Sequence, residues 1–328
     1  MTKPETIYVC GVQNDHDLPK KIIDELRKKH ESVEEIKSSV VTFKNGEQKA
    51  VIETSVRGKD IALISTMEDP IDTEVLRLVF YIDALRRSGA ARISVVLPYY
   101  YYERQDKTTD SRESINASLL GKMYELAGMS HLTSVHLHNN AIEGFMSVPV
   151  DKIGTKKLFW DYLKKYLESQ GETLNPEEWV ICSPDEGAVK EGRTFAKKVG
   201  TGNAAFSKYR SGPNEIEHME FFGDVTGKRV FMYDDMIDTG STAVKAGNAL
   251  IEKHGAKEVI MAASHALLNG EAPEILQNSK FTKVFVTDSL YIAPEKKFEK
   301  LEVVSLAPML AQVIINSKLG ESIRQENW

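Results

Sequence analysis

Apolar residues come in two rhythms along this chain, and the order in which those rhythms alternate predicts its architecture. Short apolar runs at residues 7–10, 40–43, 51–54, 61–66, 93–97 and 132–138 read as strands. Between them, residues 17–29 carry a helical stripe of Leu18, Ile22, Ile23 and Leu26, and residues 72–89 and 114–126 read as further helices. Lys44-Asn45-Gly46-Glu47 is a turn signal that predicts a hairpin between the second and third runs. Residues 99–107, just after Pro98, read as a loop. Strands alternating with helices in this way predict a mainly parallel sheet flanked by helices.

Residues 149–155 read as a short boundary, after which the alternation starts again. Helices are expected at 158–168, 187–199 and 243–254, with strands at 179–182, 204–206, 230–233, 259–263 and 284–287. Residues 207–216 are polar with Gly and Pro and read as a mobile loop. A faint repeat supports duplication: Ala84-Leu85 to Ile93 and Ala249-Leu250 to Val259 both run helix, Gly-Ala turn, strand. Glycine ends many helices, so the repeat is weak taken alone. The expectation is two tandem α/β domains of similar plan, at 1–150 and 151–308, and a C-terminal helix within 309–328 that can return to the first domain.

Composition narrows the class. At 328 residues, with 41% hydrophobic and 27% charged, the chain has enough apolar mass for two ordinary cores. A formal net charge of −6 argues against nucleic-acid binding, which needs a basic surface. No apolar run approaches the roughly 20 residues of a membrane span, and no leader peptide precedes the first strand. Cys10 and Cys182 stand far apart without metal-ligand spacing, and are expected to be reduced and semi-buried. These features predict a cytoplasmic protein of enzyme size.

The chemistry concentrates in one stretch. Val230 to Tyr233 has β character, Asp234 to Thr242 is acidic and small, and a helix follows. Strand, polar loop and helix start is the layout of a ligand site at the carboxyl edge of a parallel sheet. There Asp238, Thr239, Gly240, Ser241 and Thr242 can turn backbone N–H groups and hydroxyls onto a phosphate. Asp234 and Asp235 suit sugar hydroxyls or a metal carried by the ligand. No lysine follows the glycine, so this is not the nucleotide-triphosphate P-loop. The plain alternative is an Asp-rich turn that ends a strand and caps a helix.

Other constellations are weaker singly. Arg104 and Lys107 can bind phosphates and Gln105 a base edge, or they simply line a solvated loop. Tyr99 to Tyr102 reads as a buried strand end in preference to a stacking platform. His136 and His138, at i and i+2, are expected on one face of a strand, suited to a metal or a phosphate–metal complex. Asp185 either serves a sugar hydroxyl or caps the helix that follows it.

In order, the motifs are F-x-N-G-E at 43–47, R-Q-D-K at 104–107, x-L-H at 136–138, S-P-D-x-G at 183–187, K-x-R at 208–210 and D-D-x-x-D-T-G-x-T at 234–242. The last resembles the phosphoribosyl-pyrophosphate signature of the phosphoribosyltransferase fold. The whole series resembles the ribose-phosphate pyrophosphokinases, and the likeness extends from Glu53-Thr54-Ser55-Val56-Arg57-Gly58 to Gly320-Glu321-Ser322-Ile323. The resemblance implies an α/β fold of two tandem phosphoribosyltransferase-like domains, each a mainly parallel sheet flanked by helices. It implies transfer of the β,γ-pyrophosphoryl group of ATP to the 1-hydroxyl of ribose 5-phosphate, with Mg²⁺ as cofactor and AMP released.

Carried over residue by residue, Phe43, Asn45 and Glu47 would contact adenine across a subunit boundary, in a homo-oligomer between dimer and hexamer. Arg104, Gln105 and Asp106 would touch ATP, and His138 would stand near its triphosphate and magnesium. Lys208 and Arg210 would be the catalytic pair. Asp185, Asp234 and Asp235 would hold the ribose and its metal, and residues 238–242 the 5-phosphate. Asp185, His138 and His136 are the candidate metal contacts, with His136 standing where the family usually has Asp. Further departures are Ala188 and Ser241 for usual glycines, Glu191 for a basic residue, and a proline lost from Arg112 to Asn116. Two alternatives remain open from the same residues: the same chemistry on a larger acceptor such as ADP-ribose, and a non-catalytic nucleotide-binding regulator. A plain phosphoribosyltransferase shares the central loop but has no use for the 43–47 hairpin or Arg104 and Gln105.

Overall fold

The alternating rhythm is realised as two mainly parallel sheets, each in a compact unit of its own. The computed structural model describes residues 5–66, 68–184, 189–209 and 218–323.

The first unit runs through Gly154. It contains β1 (Ile7–Gly11), α1 (Leu18–Lys29), β2 (Val33–Glu35), β3 (Ser38–Thr42), β4 (Gln48–Ile52), β5 (Asp60–Ile64), α2 (Ile71–Arg87), β6 (Arg92–Val96), α3 (Asn116–Ala127), β7 (His131–Val135) and β8 (Val150–Ile153). Its main sheet is six-stranded, in the order β2-β1-β5-β6-β7-β8, and every pairing in it is parallel. Strands β3 and β4 stand apart as an antiparallel hairpin. The stretch expected as a boundary supplies β8. Its backbone completes the sheet beside β7, with Leu132 opposite Val150, although only Val150 and Ile153 are apolar.

The second unit spans Thr155–Asp288 and Ile292–Val304. It holds α4 (Lys156–Ser169), β9 (Trp179–Ser183), α5 (Val189–Val199), β10 (Gly202–Tyr209), β11 (His218–Phe222), β12 (Arg229–Ile237), α6 (Ser241–Glu252), β13 (Glu258–Ala266), α7 (Ala272–Gln277), β14 (Lys283–Thr287) and β15 (Leu301–Val304). The sheet order is β11-β10-β9-β12-β13-β14-β15, antiparallel only between β10 and β11. This edge pair takes up part of the polar stretch expected to be a loop. Residues 207–209 are held in the sheet by their backbone ladder to β11, and such pairing outweighs weak strand propensity.

Strand period explains the second unit's core. Trp179, Ile181, Phe231, Tyr233, Ile260, Ala262 and Phe285 pack with Phe159, Trp160 and Leu163 of α4 and Phe195 of α5. The residues between them, Val180, Cys182, Val230, Met232, Val259 and Met261, pack with Ala246 and Leu250 of α6 and Leu276 of α7. Alternate side chains of one strand point to opposite faces, so a run that is apolar throughout builds two cores. Each fully buried large side chain contributes about 1.5–3 kcal/mol of burial. A Cβ on Gly247 would lie 2.2 Å from Phe281, so only glycine lets α6 seat against that ring.

The chain then closes on the first unit, to which Ser289–Tyr291 and the residues from Ser305 onward belong. Helix α8 (Ala307–Leu319) is apolar nearly all round, burying Met309, Leu310, Val313, Ile314 and Ile315. Such a helix needs cover on several sides. It packs against α1, where Lys29 Nζ donates to the Pro308 carbonyl at 2.8 Å. Both cysteines are fully buried and free, deeper than the semi-buried positions expected, and burial pushes the Cys10 thiol up to about 11.

Candidate active site

In the second unit the strand order reverses at β9 and β12: from β9 the chain goes on to β10 on one side, and from β12 to β13, β14 and β15 on the other. Such a switch point opens a crevice at the carboxyl ends of the strands, because the two connections leave in opposite directions. The segment after β9 carries Asp185, and the segment after β12 carries residues 238–242. Asp185 lies outside the described residues, as do Ala188 and Arg210.

β12 runs on to Ile237, four residues beyond the expected strand end, so Asp234 and Asp235 belong to the strand and not to a loop. The cause is tertiary: β13 supplies a ladder as far as Ile237 opposite Ala266, and backbone pairing outweighs the low strand propensity of Asp. On the other side β12 pairs with β9 only as far as Met232 opposite Cys182. Asp234 and Asp235 therefore stand beyond the end of β9, half-buried at the crevice, on opposite faces of the strand. Asp234 also accepts the Asp235 N–H at 3.0 Å.

The phosphate loop follows. Gly240 sits at the N-cap of α6 with φ +74, a left-handed conformation that glycine adopts without strain. Its face is covered by Leu276, whose Cγ would lie 3.3 Å from an added Cβ. Thr239 and Ser241 are exposed, Thr242 is half-buried, and α6 begins at Ser241, two residues before the expected start. This arrangement can present helix N-terminal N–H groups and hydroxyls to an anion. Below it, the Tyr233 hydroxyl and Ser264 Oγ both hydrogen-bond to Thr155 Oγ1, at 2.9 and 2.7 Å. Burial raises the Tyr233 hydroxyl above the usual phenol range, so it stays protonated. Glu191, one of the departures, forms a 2.8 Å ion pair with Lys156.

Lys208 is described in its backbone alone, in β10 and paired with Met219.

In the first unit the sheet reverses between β1 and β5, but the chain's own groups occupy that edge. Arg77 Nη1 donates to the Gln13 carbonyl and forms an ion pair with buried Glu74, while the Asn14 amide donates to Thr66 and Glu74. The residues singled out in the sequence lie instead after β6 and β7. Tyr99, Tyr100 and Tyr101 are buried and Tyr102 half-buried, but in turns beyond the end of β6 and not in a strand, while Arg104, Gln105 and Lys107 are exposed. Two carboxylates hold this loop to its neighbour. Buried Glu103 accepts the His138 N–H at 3.1 Å, and Asp106 accepts from the Asn139 amide at 2.5 Å. Asp106 thus spends a carboxylate oxygen inside the protein, as an anchor for Arg104 and Gln105.

The histidines are not side by side on a strand. β7 stops at Val135, and His136 adopts φ +42, which breaks the two-residue alternation. His136 is half-buried and His138 exposed. Among the described residues, no three His, Cys, Asp or Glu side chains converge on a metal position. The hairpin brings Phe43, Asn45 and Glu47 together at one exposed tip, closed by Phe43 N–H to the Glu47 carbonyl at 2.8 Å. Gly46, at φ +87, makes the turn.

Comparison with known proteins decides the family. Residues 7–128 match the model described as the N-terminal domain of ribose phosphate pyrophosphokinase, and residues 190–326 match that of the phosphoribosyl synthetase-associated domain. The chain belongs to the ribose-phosphate pyrophosphokinase family. It is 38% identical over 284 residues to the ribose-phosphate pyrophosphokinase of Aquifex aeolicus, covering 87% of this chain and 88% of that one. With the Bacillus subtilis ribose-phosphate pyrophosphokinase the identity is 35% over 319 residues, 97% of this chain and 96% of that one. The crystal structure of phosphoribosylpyrophosphate synthetase from Mycobacterium smegmatis superposes with a TM-score of 0.85 at 34% identity, covering 96% of this chain and all of that one. The family consists of transferases, and among the described residues no helix is long and apolar enough to cross a membrane.

Within this ribose-phosphate pyrophosphokinase fold, some residues that hold others in place belong to no recognisable motif. Glu103 and Asn139 tie the Arg104 loop to the His138 loop. Asn269 holds Asp238, and its only sequence signal was an Asn-Gly turn pair.

Proposed function

We propose that this chain is a Mg²⁺- and ATP-dependent pyrophosphokinase that moves the β,γ-pyrophosphoryl group of ATP to the 1-hydroxyl of ribose 5-phosphate. The observation that carries this reading is the loop 238–242 heading α6 at a switch point, in a chain of this family. In it, residues 238–242 hold the 5-phosphate, and Asp185, Asp234 and Asp235 take the ribose hydroxyls. Arg104, Gln105 and Asp106 serve ATP, with Asp106 acting as the anchor of the other two. Lys208 and Arg210 place positive charge on the transferring group, since phosphoryl chemistry depends mainly on positioning and on cations set against developing charge.

The donor set suits magnesium. That ion is held by one or two carboxylates together with substrate phosphates and water, and does not require a closed protein cage. The residues we assign to it are Asp185, His138 and His136, and the bound ion would neutralise triphosphate charge. Incubation with γ-labelled ATP and ribose 5-phosphate should give AMP and labelled phosphoribosyl pyrophosphate, and chelation of magnesium should stop it. Release of ADP and free phosphate, or no turnover, would overturn the reading.

The exposed hairpin tip reads adenine, and we place that contact on a neighbouring copy in a homo-oligomer. Phe43 is 47% exposed, so its removal costs the fold little. Phe43→Ala is expected to raise KM for ATP by roughly tenfold, the worth of a lost stacking contact, with the melting temperature unchanged. A monomer of full activity in light scattering, or an unchanged KM for ATP, would remove the shared-site assignment.

A further inference from the structure

We propose that Asn269 is a positioning residue for the sugar-phosphate loop, acting as a clamp on Asp238; the proposal rests on reading residues 238–242 as that loop. β12 and β13 are parallel neighbours that end together, Ile237 opposite Ala266, so the segments that follow them start side by side. The chain after β13 then folds back along the end of β12. Leu267 and Leu268 both donate their N–H groups to the Ile237 carbonyl, at 3.0 and 3.1 Å. Leu268 is fully buried and takes φ +49, a left-handed backbone that a leucine adopts only where its surroundings hold it there. That buried, turned residue aims the next one.

Asn269 meets Asp238 twice. Its backbone N–H donates to the Asp238 carbonyl at 3.0 Å, and its side-chain amide donates to Asp238 Oδ1 at 2.9 Å. A carboxylate held by an amide donor is the stronger kind of side-chain hydrogen bond, because one partner is ionised. Asp238 is the first residue after the strand and the one from which the loop departs. Fixing both its backbone and its side chain sets the direction of Thr239 and of the N–H groups that follow. A loop already set for phosphate loses less entropy when the ligand arrives, so the clamp acts on affinity and not on the chemical step.

Two substitutions separate a clamp from a merely structural role. Asn269→Ala removes the side-chain donor, and Asn269→Asp keeps the shape while setting a second carboxylate against Asp238. The backbone bond survives in both. A role in shape alone predicts that the aspartate is the milder change, and the clamp predicts that it is the worse one. KM for ribose 5-phosphate should rise roughly fivefold in the alanine variant and more in the aspartate variant, with kcat and KM for ATP within about twofold of the parent. Hydrogen exchange of the peptide 237–243 should quicken in the order parent, alanine, aspartate. Unchanged exchange, or an aspartate variant no worse than the alanine one, overturns the proposal. If the parent shows no turnover of ribose 5-phosphate, the functional reading fails, and the exchange order in the same three proteins still decides the clamp.

Discussion

Lys208→Ala and Arg210→Ala are each expected to lower kcat by about 10²- to 10³-fold, the usual effect of removing one group aimed at transition-state charge. Affinity for ribose 5-phosphate should change little, because the sugar phosphate is assigned to the loop at the end of β12. The strand pair supports a clean experiment. Lys208 lies next to last in β10 and takes part in the sheet through its backbone, paired with Met219, which an alanine does equally well. A loss of activity in the Lys208 variant would therefore come without a loss of fold, and its thermal melting should match the parent. Groups that stabilise the same charge are not independent, so the double variant should fall short of the product of the two single effects. Steady-state kinetics with each substrate varied separately is the measurement. Activity within about twofold of the parent in both variants would mean a solvated Lys and Arg, and would remove this mechanism.

The parts of the molecule that could be read from the chain are those that follow from side-chain period. The continuous apolar runs at β9, β12 and β13 build two cores because alternate residues face opposite helix layers, and the pattern needs no knowledge of the rest of the fold. The hairpin was legible because Asn45-Gly46 is turn chemistry, and Gly46 does take a positive φ. Features decided by a distant partner were not legible. Asp234 and Asp235 are strand residues only because β13 offers them a ladder. Val150 to Ile153 becomes a strand only because β7 has a free edge. His136 and His138 were expected on one face because the period was extended three residues too far, and a single left-handed residue at 136 cancels it. The candidate site was legible in its ligand-facing residues, which are unusual in type and order. Its supports, Glu103, Asn139 and Asn269, are ordinary polar residues whose partners lie between 31 and 35 positions away in sequence.

In a competition between equal ribose 5-phosphate and ADP-ribose with ATP–Mg²⁺, only ribose 5-phosphate is expected to gain the mass of a pyrophosphoryl group. The departures at His136, Ala188, Glu191 and Ser241 had left a larger acceptor open, since a selective change on the acceptor side would suit extra bulk on the 5-phosphate. Two observations now weigh against it. A second phosphate and its nucleoside need an open path past the loop, and on the Gly240 side that path is closed, since fully buried Leu276 packs directly on that glycine. Displacing it would open a cavity in the core shared with Leu250 and Phe281, and cavities left by large apolar side chains cost about 2–5 kcal/mol. The second observation concerns Glu191. Its carboxylate is paired with Lys156 at 2.8 Å, so the charge is matched within the second unit and is not evidence of a site retuned for another ligand. An added phosphate near it would meet a carboxylate already holding its cation, with no gain in charge complementarity. Discrimination against a ligand whose path is closed on that side should reach at least the roughly 10- to 200-fold that one methylene gives in an apolar pocket. Mass spectrometry of the products reads the ratio directly. If ADP-ribose alone is modified, the assigned acceptor is wrong, while the fold, the chemistry and the roles of Lys208 and Arg210 would stand.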